Sequence, residues 1–263
     1  SLDNGYTWTK YSGNPVLHNP GIVDFRDPKV TWHEQDKKWI MTLATKDRIT
    51  FFSSPDLKSW TKLSEFGERT GAHGGVWECP DLFPLSYKRK NVWVLLVSIN
   101  PGGPNGGSAT QYFLGDFDGK NFIPYDSVER WIDHGTDNYA GVTFFNTGNR
   151  RLFMGWMNNW QYGDRVPTVK WRGAMTLPRE LNLRQVNGKF YLASTPVKEL
   201  NGIANKAGVK KVTGLAGSYS TPTTGMFKLD LKGIVTNDYS IVLSNEKGSE
   251  LMIGFDKQKN QYY

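Results

Sequence analysis

Hydrophobic positions in this chain fall in short runs, and none keeps a 3.6-residue period long enough for an amphipathic helix. Three pairs of runs share one plan. Lys29-Val30-Thr31-Trp32 leads through a turn to Lys38-Trp39-Ile40-Met41-Thr42-Leu43. Asp81-Leu82-Phe83-Pro84-Leu85 leads through a basic turn to Val92-Trp93-Val94-Leu95-Leu96-Val97. Gly141-Val142-Thr143-Phe144-Phe145 leads through Asn146-Thr147-Gly148-Asn149 to Arg151-Leu152-Phe153-Met154-Gly155-Trp156. Each run is rich in β-branched and aromatic residues, which predicts paired strands. An acidic turn ending in an aromatic also recurs, as Ser1 to Trp8, Ser54 to Trp60 and, more loosely, Asp116 to Phe122. A repeat of about 50 to 60 residues with several short strands per unit predicts propeller blades. About three units are present, and propellers typically have at least four blades. The expectation is an all-β chain holding part of a ring.

The pattern changes near residue 200. All ten Trp lie between Trp8 and Trp171, and beyond Leu200 the chain turns to Lys, Gly, Ser and Thr. Alternating stretches such as Met226-Phe227-Lys228-Leu229-Asp230-Leu231 predict the start of a separate antiparallel module. The expected domains are a partial β-propeller over residues 1–196 and a partial β-sandwich over 197–263.

With 38% hydrophobic and 22% charged residues, the 263-residue chain can bury a core. Its net charge of +7 invites a nucleic-acid partner, but the charges are scattered. The densest runs, Lys88-Arg89-Lys90 and Lys210-Lys211, read as solvated turns, so no nucleic acid is expected. No apolar run nears the length of a membrane span, and Ser1 to Gly5 carry neither a basic segment nor an apolar stretch of a signal peptide. Cys79 is the single cysteine, which rules out an internal disulfide and a multi-thiolate zinc site. His18, His33, His73 and His134 lack ligand spacing, so neither metal nor cofactor is expected. The stretch from Pro101 to Gly107 lacks a following Lys-Ser/Thr and reads as a blade loop, not a phosphate cradle.

Counting back along the strand pairs puts Asp27 five residues before Trp32, Glu78 five before Phe83 and Tyr139 five before Phe144, with Asp137 close by. Residues at one phase of successive blades lie at one level around the axis, so these side chains are expected to converge at one mouth of the channel. Carboxylates gathered in an aromatic-rimmed pocket can take different protonation states, which suits glycosidic bond cleavage. Taken singly, Asp-Pro and Glu-Cys-Pro also fit ordinary turn chemistry.

Five phrases together resemble the β-fructofuranosidases of glycoside hydrolase family 32, the invertases, levanases and inulinases. They are Phe25-Arg26-Asp27-Pro28, Trp77-Glu78-Cys79-Pro80-Asp81, the stretch from Asp133 to Ala140, Gly155-Trp156-Met157-Asn158-Asn159-Trp160, and the stretch from Arg172 to Leu181. Gly74 to Phe83 looks most like the exo-acting levanase and inulinase branch. The resemblance implies a five-bladed β-propeller, with the first blade or more missing here, followed by a β-sandwich. It implies a retaining hydrolase of terminal fructofuranosyl residues in levan, inulin or sucrose, secreted, periplasmic or cell-surface. Glu78 resembles the acid/base and Asp27 the transition-state stabiliser. Arg26, Cys79, Asp137 (or Asp133), Tyr139 and Trp156 (or Trp160) would line the sugar site.

One departure stands out. The family's nucleophile is an Asp in a Trp-Met-Asn-Asp-Pro-Asn-Gly phrase, which is absent here. The nearest string, Trp156-Met157-Asn158-Asn159-Trp160, has the amide Asn159 in place of the acid. No nucleophile is assigned in this chain. The fragment is expected to be inactive alone, to be completed by a missing N-terminal segment or a second chain. A noncatalytic carbohydrate-binding propeller and a fructosyltransferase are the alternatives.

Overall fold

A computed structural model describes residues 1–203, 217–220, 227–229 and 236–263. Contacts divide the chain into two units, Ser1–Leu200 and Asn201–Tyr263. The first holds three antiparallel sheets. Strands β1 (Phe25–His33), β2 (Lys38–Thr45), β3 (Arg48–Ser54) and β4 (Thr61–Phe66) form the first in simple up-and-down order. The second repeats it with β5 (Val76–Tyr87), β6 (Lys90–Asn100), β7 (Ala109–Phe117) and β8 (Phe122–Pro124). The third is built from β9 (Tyr139–Thr143), β10 (Leu152–Met157), β11 (Ala174–Met175), β12 (Arg179–Val186) and β13 (Lys189–Pro196). Here β9 lies on one side of β10, and two short runs share the other side. Trp156 and Met157 pair with β11, while Leu152 and Phe153 pair with β12. Phe144 and Phe145 fall beyond the end of β9, about half exposed.

The recurring acidic turn has a shared geometry. Asp56 Oδ1 accepts the amides of Lys58 and Ser59, and Asp118 Oδ1 those of Lys120 and Asn121. Asp3 Oδ1 accepts the amide of Thr7. These are side-chain-closed turns, the reason Asp heads each phrase. Two of them join the third and fourth strands of a sheet.

The middle sheet is covered on both faces, which explains why β6 reads as a continuous apolar run. Leu95, Val97 and Ile99 face the first sheet, packing with Ile40, Ile49, Phe51, Phe66, Trp77, Phe113 and Phe117. Val92, Val94 and Leu96 face the third, packing with Phe83, Tyr112, Phe153, Leu181 and Leu183. Lys88 and Arg89 form the exposed tip of the β5–β6 hairpin, as expected of solvated charges.

The short helix α1 (Leu200–Ile203) starts at the last residue of the first unit, and the second unit holds a three-stranded antiparallel sheet of β14 (Tyr239–Ser244), β15 (Glu250–Asp256) and β16 (Gln261–Tyr262). The alternating stretch from Met226 to Leu231 lies mostly outside the described residues. No helix among the described residues is long and apolar enough to cross a membrane.

Candidate active site

The first strand of each sheet carries the same irregularity. Between Arg26 and Lys29, between Glu78 and Asp81, and between Tyr139 and Val142, two residues are inserted against one on the partner strand. The first inserted residue has a left-handed backbone each time: Asp27 at φ 59°, Cys79 at 47° and Ala140 at 52°. The second is Pro28, Pro80 or Gly141. Proline fits there because an unpaired bulge position needs no N–H. The bulge twists the strand and re-aims the side chains beside it.

This register corrects the phase counted from sequence. Arg26, Glu78 and Tyr139 are the equivalent positions, and Asp27 is equivalent to Cys79 and Ala140. The count slipped by one because Trp32 and Phe83 are not equivalent anchors: Trp32 is 41% exposed, whereas Phe83 is 1% exposed. Neighbours in a strand face opposite ways, so a one-residue slip exchanges faces.

The cluster still forms. Arg26 Nε donates to Glu78 Oε1 at 3.1 Å, and the Tyr139 hydroxyl donates to Glu78 Oε2. The backbone N–H of Cys79 donates to Asp27 Oδ2 at 3.0 Å, and Cys79 Sγ lies 3.6 Å from the same oxygen. Asp27 is thus bound to the residue next to Glu78, with each acid on the first strand of its sheet. Burial, and then the bond to Glu78, hold the Tyr139 phenol far above its ordinary pKa, so it remains a donor. Burial, followed by the charges of Asp27 and Glu78, pushes the Cys79 thiol up to about 12. Arg26 also donates to Asp24, which with Glu78 raises its pKa against the opposing effect of burial. Asp24 carried no signal in the sequence beyond its place two residues before Arg26.

Asp137 sits apart from these bonds: it accepts from the Tyr162 hydroxyl and from Thr136 Oγ1. Asp133 accepts from the Gly135 amide and from Asn138, as a turn residue does. Trp156 pairs with Tyr139 across β9 and β10, its Nε1 donating to Arg172 O. Its ring lies 5.2 Å from that of Trp160, which is 56% exposed. Trp156 is therefore next to Tyr139 in register, and its indole packs toward Trp160 and Arg172. Asn159, where the family phrase would place an acid, is fully buried as a bracket. It donates to Thr136 O at 2.8 Å and accepts from Gln161 N at 2.9 Å and Ser108 N at 3.2 Å. A groove of about 510 Å³ runs beside the cluster, lined by Leu17, Phe25, Pro28, Met41 and Leu43 among others, and Arg26 is the cluster side chain in its wall. Among the described residues no group of three or more His, Cys, Asp or Glu is placed to hold a metal ion.

Comparison with known proteins decides the family. The profile described as "Glycosyl hydrolases family 32 N-terminal domain" matches residues 1–196. The chain belongs to glycosyl hydrolase family 32. Among its relatives, a levanase of Bacillus subtilis is 51% identical over 211 residues, 77% of this chain and 31% of that protein. An extracellular exo-inulinase of Aspergillus awamori is 38% identical over 293 aligned residues, 100% of this chain and 54% of that protein. Among solved structures, a β-fructofuranosidase from Schwanniomyces occidentalis complexed with fructosyl-erythritol superposes with a TM-score of 0.86 at 35% identity, covering 100% of this chain and 56% of its own. The chain thus spans about a third to a half of the curated relatives' length.

Proposed function

We propose that this chain carries the acid/base and the transition-state stabiliser of a retaining hydrolase acting on terminal β-D-fructofuranosyl residues of levan, inulin or sucrose. The observation that supports it is the joint grip on Glu78 by Arg26 and Tyr139, with Asp27 bound one residue away. In this reading Glu78 protonates the leaving oxygen, and Asp27 accepts hydrogen bonds from fructose hydroxyls that strengthen as charge grows on the ring. Arg26, Cys79, Tyr139 and Trp156 shape the pocket, and Asp137 with Tyr162 extends it. The three sheets are blades of a five-bladed propeller, and β14 to β16 begin a sandwich. Likeness to extracellular exo-inulinases supports secretion.

Retaining cleavage needs a second carboxylate about 5 to 5.5 Å from the acid, acting as nucleophile. The family's phrase for it is absent, so that group comes from a segment or chain outside these 263 residues. The test is an assay of the chain on levan, inulin and sucrose, with fructose binding measured by calorimetry. The expected result is binding that weakens at least tenfold in Asp27→Asn, with no turnover by the chain alone. Turnover that persists in Glu78→Gln removes the acid/base role. The missing phrase also favours a second reading, a noncatalytic fructan-binding module. Binding that tracks long fructan chains and is insensitive to Asp27→Asn and Glu78→Gln selects it.

A further inference from the structure

Beneath the cluster lies a second charged set that the proposed chemistry does not use. Lys29 and Asp81 occupy equivalent register positions, each the first residue to pair again after its bulge. Lys29 Nζ is 3.5 Å from Asp81 Oδ2, and their side chains are 17% and 1% exposed. Both also reach the third sheet. Asp81 Oδ2 accepts the backbone N–H of Thr143 at 2.6 Å, and Lys29 Nζ donates to the carbonyl of Thr143 at 2.8 Å. A single peptide residue of β9 is therefore held by an acid from β5 and a base from β1.

We propose that Lys29 and Asp81 are a positioning pair, which ties β1, β5 and β9 together just past their bulges and so sets the spacing of Glu78 and Asp27. Among the described residues no backbone hydrogen bond joins β1, β5 and β9 directly. Side-chain bonds fix their relative slide instead, those of Arg26, Asp27 and Tyr139 within the cluster and those of Lys29 and Asp81 past the bulges, and an apolar contact permits sliding where a hydrogen-bonded charge does not. Stability alone does not explain the choice. Buried ion pairs frequently lose to apolar residues of similar size, and Asp81 Oδ1 is buried with no partner. The left-handed backbones of Asp27 and Cys79 also persist only where the surroundings over-determine them. Pins at Lys29 and Asp81, two residues beyond each, supply that constraint.

The pair rests on the hydrolase reading for what the cluster does, but its test needs no turnover. Cys79, the single cysteine, sits beside both acids as a reporter, and its thiol is held up first by burial and then by the charges of Asp27 and Glu78. Iodoacetamide labelling of the folded 263-residue chain, followed by mass across pH 7 to 10, reads the fraction of thiolate, which is the nucleophile and grows as the thiol pKa falls. Rates are taken where they do not change with low urea, so that labelling reads the native state and not global opening. In Asp81→Asn and in Lys29→Met the expected rate at pH 8 rises at least tenfold, while Lys29→Arg stays within twofold of the parent. A merely structural pair would lower the melting temperature and leave the native-state rate unchanged, which overturns the proposal. If Asp81→Asn does not fold, the double variant Lys29→Met/Asp81→Leu replaces the charges by apolar packing. Labelling of that variant at the parent rate overturns the proposal, and labelling at least tenfold faster supports it. Neither result alters the assignment of Glu78 and Asp27, which turnover and fructose binding test separately.

Discussion

The two junctions between the three sheets are built differently. The first and second sheets meet through aromatics: Phe66 lies 4.9 Å from Phe113, 5.1 Å from Phe122 and 6.4 Å from the fully buried Trp77. The second and third sheets meet through fewer rings and more polar brackets. Ser98 Oγ accepts the Ala140 amide at 3.1 Å, Thr110 Oγ1 lies 3.4 Å from the Asn138 carbonyl, and Asn159 fastens the loop at Ser108. Apolar burial is strong and undirected, whereas a hydrogen bond fixes one alignment. Tyr139, which must meet Glu78 from the third sheet, comes from the junction with the directional ties.

Breaking the aromatic junction is expected to have the largest effect on stability. Trp77→Ala empties a fully buried site and removes the Nε1 bond to Ala72, which should cost about 3–5 kcal/mol in urea unfolding. A loss under 1 kcal/mol would move the weight of the fold elsewhere. Asn159→Ala comes next, at about 2 kcal/mol, because it strands buried partners on the 106–108 loop and at Thr136. Its expected signature is a third sheet that exchanges amide hydrogens faster while the first sheet is unchanged.

Cys79 sharpens the comparison through pH. Its thiol is raised in the folded state to about 12 from an ordinary value near 9. The unfolded chain therefore loses the thiol proton first, so the contribution to stability is intact below about pH 9 and is lost as pH rises toward 12. The difference in unfolding free energy between the parent and Cys79→Ala should change by about 1.4 kcal/mol per pH unit within that window. A flat difference would place the thiol in an ordinary environment. The smallest effect belongs to the hairpin tip: Lys88→Ala with Arg89→Ala should stay within about 0.5 kcal/mol of the parent.

Much of this frame was legible in the residues. Strand pairs, turn aspartates and the convergence of Asp27, Glu78 and Tyr139 follow from alternation and repeat, whereas the exact phase did not. The count was anchored on aromatics that do not occupy equivalent places, and the equivalent bulges are invisible without the partner strand. Asp-Pro and Cys-Pro were their only trace, and those dipeptides fit a turn equally well. Lys29 and Asp81 escaped notice for another reason. A lone charge in a strand looks the same whether it faces water or a buried opposite charge, and only register distinguishes them. Asp137 is close to Tyr139 in sequence, and its own bonds go to Tyr162 and Thr136.

The shared place of β11 and β12 beside β10 has an evolutionary consequence. Because two short runs occupy one strand position, the chain leaves the sheet after Met157 and rejoins it at Ala174 without changing the pairing of Leu152 and Phe153. Past the buried bracket at Asn159, the intervening excursion carries the exposed Trp160 and Trp171 and can lengthen, shorten or change composition there at little cost to the frame. Descendants of this fold can thereby vary that surface while inheriting Glu78 and Asp27 untouched.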